Sequence, residues 1–447
     1  MSLQRKLIVI ALASAMPWMS AQAQSTADLK KEIEALKAQL QMLTQKVEQM
    51  DSKATDPELV QQVNRIEQKQ DLAEDTVEKA GLKGMHFKGV IEAAYRTDDM
   101  SNVHSFAAQS GNGGYDSATP ANSAMLELTK ETDGGDGISW TLRLEPGARA
   151  GALVHEASIS APVGDGNRII GGLIPDWTGY EQYFANVNPL ISHNALFDFA
   201  APVNYAGLGM SHVLNSAWTA KWVVGNIDGS VDEANVASVP PVYTKKTTGL
   251  AYNLGWTISE FAFLEYSGVI GNGNRNFSLH EIDGSFIRGD WLFNGQLGFG
   301  TQERAAANFE ADGSTPKQAR WWTVSGLVGY KVTPRLQLLA RADYINNEVN
   351  GGGIYAWNAD SAFAQNYGLG TARNSDGTLV VDGNGENVGA NLTRLTLGTN
   401  YQINASTQWK TEYRVDSSTG ANFSNDSNPA TLSSRKTSLG TSIVVSF

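Results

Sequence analysis

The sequence predicts an all-β transmembrane barrel of sixteen antiparallel strands, preceded by an α-helical coiled coil. Three observations support this prediction: an apolar repeat of 3.5 residues near the N-terminus, an alternation of period two over most of the remaining chain, and an aromatic last residue, Phe447. We expect a signal peptide over residues 1–23, a coiled coil over residues 24–80 and a barrel domain over residues 85–447.

The N-terminus has the pattern of a secretory signal. Arg5 and Lys6 precede an apolar run, and Ala21-Gln22-Ala23 supplies a small-x-small cleavage site. The run is shorter than the roughly 20 residues that a membrane-spanning helix needs, so we expect cleavage and export. A net charge of −12 argues against nucleic acid as a partner, and the absence of cysteine excludes disulfides and thiolate metal sites.

A heptad repeat follows the predicted cleavage site and indicates a parallel homo-oligomeric coiled coil. Glu32 at a g position can pair with Lys37 at an e position of a neighbouring chain, and Asp56-Pro57 restarts a weaker second seam. The alternative is one amphipathic helix packed on its own domain. The a positions are Ile33, Leu40 and Val47, and the d positions are Leu29, Leu36, Leu43 and Met50.

Beyond Gly84 the period of the apolar residues changes to two, which is typical of strands with one apolar and one polar face. The segment from Ile138 to Glu145 alternates four apolar residues with Ser139, Thr141, Arg143 and Glu145. The segment from Thr407 to Asp416 places five polar or charged groups on one face. A mean hydropathy of −0.27 suits a barrel, in which only alternate residues meet lipid.

Turn-forming residues divide this region into sixteen strands, with short turns on one side and long connections on the other. The first strand is expected near Met85–Thr97 and the last near Lys436–Phe447. The predicted short turns are 133–137, 164–167, 215–217, 255–257, 288–290, 333–335 and 402–405, and the long connections include 98–122, 175–203, 226–245 and 347–389.

Aromatic residues distinguish a membrane barrel from a soluble β-sandwich, which shows the same alternation. They lie on the predicted apolar face near strand ends, where interfacial girdles belong. These residues are Trp218, Trp222, Trp291, Trp322, Tyr330, Tyr344, Tyr401, Trp409 and Tyr413.

The chain resembles proteobacterial porins that carry a coiled coil ahead of a sixteen-stranded trimeric barrel, such as phosphate-selective and dicarboxylate-type porins. The resemblance spans nearly the whole mature chain, and the second and third of its segments are similar to the OmpL-like porin group. It implies an outer-membrane homotrimer with a periplasmic coil, lipid contacts, and recognition of Phe447 by the barrel-assembly machinery. The segments that carry it are Ile169–Leu173, Thr178–Glu181, Asn188–Ser192 and Leu339–Tyr344.

In porins of this kind the third outer loop folds inward and narrows the channel, so residues 175–203 are expected to meet charged strand residues there. Fixed charges at a constriction select solutes by size and charge. The alternative is that the basic residues only solvate a wide lumen or pair with carboxylates of the wall, namely Glu92, Glu127, Glu145, Asp343 and Glu412. The basic residues predicted on the inner faces of the strands favour anions. The acidic residues of the loop over residues 175–203 favour cations. The predicted constriction residues are Arg96, Arg143, Tyr180, Glu181, Lys221, Arg341, Asp343, Arg394, Lys410 and Arg414.

The pattern therefore predicts passive diffusion of small hydrophilic, anionic solutes, without enzymatic activity, metal or cofactor. The alternatives are a structural or adhesive barrel anchored through its coil and a membrane-embedded enzyme. No Gly-x-Ser-x-Gly motif is present, and the six histidines show no metal-ligand spacing. Asp382–Glu386 begins like a calcium loop, but Asn387 and Thr393 stand at its sixth and twelfth positions.

Overall fold

A computed structural model describes eleven segments of the chain, and the predicted signal peptide and coiled coil lie outside them. The described residues are 84–100, 105–109, 115–116, 124–131, 137–145, 154–202, 204–227, 247–272, 276–353, 368–425 and 428–447.

Strands make up nearly all the regular structure of the described segments. Their bounds are β1 Met85–Asp98, β2 Ser105–Gln109, β3 Tyr115–Asp116, β4 Ala124–Lys130, β5 Ser139–Leu144, β6 Val154–Gly164, β7 Asn167–Pro175, β8 Asn204–Val213, β9 Trp218–Ile227, β10 Thr247–Ser259, β11 Ala262–Asn272, β12 Phe277–Arg288, β13 Trp291–Gln302, β14 Ala319–Thr333, β15 Leu336–Asn346, β16 Leu392–Asn404, β17 Thr407–Ser418, β18 Phe423–Asn425, β19 Asn428–Ser433 and β20 Arg435–Ser446.

Sixteen of these strands, β1, β4 to β17 and β20, form a closed antiparallel barrel, so the predicted strand number is confirmed. Each pairs with its neighbours in chain order, and β20 pairs with β1 from Val90↔Ser446 to Asp98↔Ser438. Closure leaves no free sheet edge, which is what a hydrocarbon environment requires. The outer half of β1 also pairs with β2, which takes the place beside it that the shorter β4 leaves.

The outer face of the barrel carries the large apolar side chains, as the alternation predicts. Leu397 is 60% exposed and Leu208 is 63% exposed, values that suit contact with lipid and not with water. The predicted aromatic positions are confirmed as exposed at Trp222, Trp291, Trp322, Tyr330, Trp409 and Tyr413.

The predicted turn at residues 255–257 is wrong, because β10 continues to Ser259 and the chain reverses at residues 260–261. The N–H of Phe261 donates to the Ser259 hydroxyl (3.2 Å), which stabilises the reversal locally. Gly255 faces the lumen instead, where a β-carbon would lie 2.8 Å from the Thr219 hydroxyl. This glycine therefore provides space between strands and does not form a turn.

Helical structure in the described segments is limited to one short α-helix, α1 (Ala195–Phe199), and a 3₁₀ turn at Val349–Gly351. Among the described residues, no helix has the length and apolar character needed to cross a membrane. Asn194 caps α1, its side-chain oxygen accepting from the N–H of Phe197 (2.8 Å). The cap matters for the channel because α1 lies in the connection between β7 and β8.

Candidate channel constriction

The described part of the connection between β7 and β8, residues 176–202, folds into the lumen and is called loop 3 here. It contacts β5, β8 and each strand from β13 to β17, and the segment Ile191–Leu196 is buried throughout. An outer connection that remained at the rim could not reach these inner faces. Loop 3 therefore has the inward course that the resemblance implies.

Arg341 on β15 holds the middle of loop 3. Its guanidinium pairs with Glu181 (2.7 Å) and donates to the carbonyl oxygens of Ser192 (2.8 Å) and His193 (2.7 Å). Its side chain is fully buried, so these loop atoms replace the water that the charge loses. Glu181 also accepts from the N–H of Asn194 (2.5 Å), so this arginine links two segments of the loop that are 13 residues apart.

Arg394 on β16 holds the helical end of loop 3. Its Nη1 donates to Asp198 of α1 (2.5 Å) and to the carbonyl oxygen of His193 (3.1 Å), and its Nε donates to Asp416 (2.7 Å). All of these groups are buried. Two of the predicted inward-facing basic residues, Arg341 and Arg394, therefore attach the loop to the barrel wall.

On β17, Glu412 and Lys410 fasten the loop backbone with opposite charges. Glu412 accepts from the N–H groups of Ile191 (3.0 Å) and Ser192 (2.9 Å). The ammonium of Lys410 donates to the carbonyl oxygens of Ala185 and Asn188, both at 2.5 Å. A carboxylate therefore satisfies loop donors and an ammonium satisfies loop acceptors on one strand face.

Hydroxyl and amide side chains complete the attachment to β13, β14 and β15. The Tyr180 hydroxyl is bonded to that of Ser325 (2.6 Å), which donates to Asp343 (2.7 Å). The amide of Asn194 donates to Gln296 (3.0 Å). Because these bonds add geometric constraints from two further strands, the loop has one defined path across the lumen.

His193 of loop 3 is neutral in this setting. Its burial lowers its pKa to about 4, since the charged imidazolium would lose its hydration. Its Nε2 lies 2.8 Å from the carbonyl oxygen of Gln182, which assigns the proton to Nε2, and its ring stacks on Phe197 at 3.9 Å. Near neutral pH the imidazole therefore acts as a packing and hydrogen-bonding group.

The wall formed by β1, β4, β5 and β6 carries a ladder of alternating charges. Lys88 pairs with Glu127 (3.2 Å), and Arg143 pairs with both Glu127 (2.5 Å) and Glu156 (2.8 Å). The basic side chains are the exposed members, at 46% and 29%, against 7% and 10% for the two carboxylates. Positive charge therefore faces the water of the lumen at this wall.

The structure brings eight of the ten predicted constriction residues into contact with loop 3, six through hydrogen bonds or ion pairs and two over aromatic rings, and it leaves Arg96 and Arg414 elsewhere. The six, two of them on the loop itself, are Tyr180, Glu181, Arg341, Asp343, Arg394 and Lys410. The two over rings are Arg143, which belongs to the β1–β6 ladder and lies 6.0 Å from the centre of the Phe184 ring, and Lys221, whose ammonium lies 5.9 Å over the Trp177 ring. Arg96 pairs with Asp98, and Arg414 pairs with Asp416 (3.0 Å).

Sequence reasoning missed Gln296, Ser325 and the loop carbonyl groups as partners in this network. Alternation places both side chains on the inner face, and this was the only available signal. The polar inner face of a barrel contains many such groups, so period alone does not separate a loop-binding residue from one that meets water.

Comparison with known proteins places the chain in a family. The model of the family described as "Putative beta-barrel porin-2, OmpL-like" matches residues 84–447. No curated protein matches the chain in sequence.

Solved outer-membrane proteins are similar in fold. The channel DcaP of Acinetobacter baumannii is 8% identical with a TM-score of 0.50, covering 81% of this chain and 97% of that one. OmpT of Vibrio cholerae is 11% identical with a TM-score of 0.49, covering 81% and 97%. Salmonella typhi OmpF is 10% identical with a TM-score of 0.47, covering 81% and 97%.

The family match covers the whole barrel, and the barrel has the closure and strand number that the predicted porin architecture requires. The chain therefore belongs to the OmpL-like β-barrel porin family and is an outer-membrane porin that allows the passive diffusion of small hydrophilic solutes.

Proposed function

We propose that this porin selects small anionic solutes at the passage beside loop 3. The observation that supports the proposal is the exposure difference in the β1–β6 ladder, where Lys88 and Arg143 face water and Glu127 and Glu156 are nearly buried. A low-dielectric wall focuses the potential of such charges into the lumen. An entering anion exchanges part of its hydration for these groups.

Planar bilayers containing the purified mature protein test this proposal. We expect stepwise openings and, in a potassium chloride gradient, a reversal potential of the sign that chloride permeation sets. Replacing Lys88 and Arg143 by glutamine should lower the chloride-to-potassium permeability ratio severalfold, because Glu127 and Glu156 then lose their counterions. Arg335→Gln, in an exposed turn, is the control. A ratio that does not change in the double variant would contradict anion selection by this wall.

The proposed assembly is a homotrimer with its coiled coils in the periplasm. The heptad seam predicts a parallel oligomer, and the barrel domain begins directly after it at β1. Short turns of bacterial outer-membrane barrels face the periplasm, and the start of β1 lies at the same end of the barrel as the short turns, which supports a periplasmic coil. Three barrels can then share one coil without crossing the membrane again.

We further propose that the barrel-assembly machinery recognises Phe447. In the folded barrel its N–H donates to the Gly89 carbonyl oxygen (3.0 Å) and its carbonyl oxygen accepts from Gly89 (2.8 Å), bonds that any residue could form. Phe447→Ser should therefore lower barrel yield in cells while refolding of the purified chain into detergent changes little. Folded barrels migrate differently on gels before and after heating, and this difference measures both the yield of folded barrel in cells and the yield of refolding in detergent. An equal loss of folded barrel in cells and in vitro would indicate that Phe447 acts only where the C-terminal end of the chain pairs with β1.

A further inference from the structure

Two carboxyl groups of β12, those of Glu281 and Asp283, are buried on the inner wall beside the start of loop 3. Each residue is 1% exposed. One oxygen of Glu281 accepts from the Gln296 amide (2.7 Å), and its other oxygen has no hydrogen-bond partner among the described residues. Within the same part of the chain, neither oxygen of Asp283 has one. An ionised carboxylate here would lose its hydration and receive few hydrogen bonds in return.

The charges around this pair are mostly of the same sign. Glu265 on β11 is paired directly with Asp283, and Asp176 of loop 3 lies close enough to both buried groups to act on them electrostatically. The ammonium of Lys221 on β9 lies over the Trp177 ring (5.9 Å) and forms no ion pair with these acids in the described segments. Uncharged side chains complete the surroundings, namely Tyr205 on β8, Asn253 on β10, Ser267 on β11 and Gln296 on β13.

A proton is the neutralising species that fits these two groups. No acidic, histidine and cysteine side chains of the described residues are placed together so that they could hold a metal ion. The oxygens of Glu281 and Asp283 that lack partners are also closed to solvent, so no space adjoins them for an ion or a water molecule. A proton needs no such space, and it removes the charge that burial and the neighbouring carboxylates oppose.

Asp176 carries the loop side of this contact. It accepts from the N–H of Thr178 (3.1 Å) and from the hydroxyl groups of Thr178 and Tyr205. Loss of hydration raises the pKa of Asp176 to about 7, although these donors oppose the shift. Asp176 is therefore ionised above this pH, and a negative charge on β12 would then repel the loop segment that carries it.

The same wall also meets a second segment of the loop. Gln296 donates to Glu281 (2.7 Å) and accepts from Asn194 (3.0 Å), the residue that caps α1. Gly179 packs closely on the same glutamine, since a β-carbon there would overlap the Gln296 amide. The charge on Glu281 therefore bears on the loop both near Gly179 and at the start of α1.

We propose that Glu281 and Asp283 are neutral carboxylic acids that form a proton-operated latch for loop 3. While both hold protons, the segment that carries Asp176 rests against an uncharged part of the wall. Their ionisation places negative charge opposite Asp176 and weakens the hold on the loop. The latch concerns how firmly loop 3 is held and does not depend on the anion selectivity proposed above.

The sign of the pH dependence follows from proton binding. An acid that is buried in the docked loop binds a proton more tightly there than in a released loop, so the docked state holds more protons. Docking is therefore strongest in acid, and it weakens as the pH rises toward about 7, where Asp176 ionises. Ionisation of the β12 pair adds to this loss.

Single-channel conductance and proteolysis of loop 3, measured at about pH 5 and about pH 8.5 in the same salt, test the latch. In the wild type we expect severalfold faster cleavage and a larger conductance at the higher pH. The double variant Glu281→Gln/Asp283→Asn stays neutral at every pH, so at the higher pH it should resemble the wild type in acid. Glu310→Gln, at an exposed outer position, is the control and should keep the wild-type pH dependence.

Two outcomes of these measurements overturn the proposal. One is a wild-type protein whose loop and conductance do not respond to pH. The other is a double variant that keeps the full response, which would assign the titration to other groups such as Asp176 alone.

Infrared spectroscopy gives a readout that does not depend on channel activity. A neutral carboxylic acid absorbs at a different frequency from a carboxylate, so the folded wild type at neutral pH should show acid bands that are lost in Glu281→Gln and in Asp283→Asn. The mobility of unheated samples on gels confirms that each variant is folded. If neither substitution removes an acid band, the two groups are ionised at neutral pH and the latch does not exist.

Discussion

Replacing Arg341 by glutamine should release loop 3 from the barrel wall and raise the single-channel conductance. The substitution removes the ion pair with Glu181 and the bonds to the Ser192 and His193 carbonyl groups. Removing one partner of a buried pair costs about 3–5 kcal/mol, because the remaining charge is left without compensation. That cost is enough to convert a docked loop into one that spends much of its time displaced.

Bilayer recordings of Arg341→Gln measure this effect directly. We expect larger steps with more current noise, and faster proteolysis within residues 176–202 of the folded protein. Arg335→Gln, which carries the same change in an exposed turn, should behave as the wild type. Conductance and proteolysis equal to the wild type would mean that Arg341 is not needed to hold the loop.

Substituting Gly398 by leucine should displace the loop by steric pressure with no change of charge. A β-carbon at this position on β16 would lie 2.4 Å from the Leu190 side chain and 2.9 Å from the Thr411 carbonyl oxygen. Overpacking of this kind costs about 1–3 kcal/mol, and the loop is the part that can yield, since the strands are fixed by their ladders. We expect a lower midpoint in urea unfolding and an altered conductance.

Gly326→Leu is the matched control for this substitution. Gly326 lies on the outer face of β14, where a β-carbon meets no atom within 4 Å. Its unfolding midpoint and conductance should remain near those of the wild type. If Gly398→Leu leaves both quantities unchanged, Leu190 does not pack against β16 as described.

The inner positions of the charged ladder could be predicted because period two assigns each strand residue to a face. The sequence predicts that Arg341, Arg394, Lys410 and Arg414 face inward, and all four are buried on the inner side of the wall. Their roles were not predictable from the same signal. The alternation of apolar and polar residues indicates which face of the sheet a side chain occupies. It carries no information about which other part of the protein covers that face.

The partners of these residues are mostly backbone atoms of loop 3, and this explains the limit. The carbonyl groups of Ser192 and His193 exist at every residue, so no residue type marks them as acceptors. Gly255 illustrates a related ambiguity. A glycine between two strand patterns fits either a turn or a strand position where a neighbouring side chain leaves no space for a β-carbon. The Thr219 side chain beside Gly255 shows that the second explanation holds.

The attachment of loop 3 also sets the order in which this protein can mature. The loop N–H of Ile191 and its acceptor Glu412 are 221 residues apart in the chain. Contacts of such long range form late, because most of the intervening polypeptide must first be placed. Every assembling barrel therefore passes through a stage in which the early strands are paired while the loop still lacks its anchors. At that stage the loop is an inner segment that proteases can still reach.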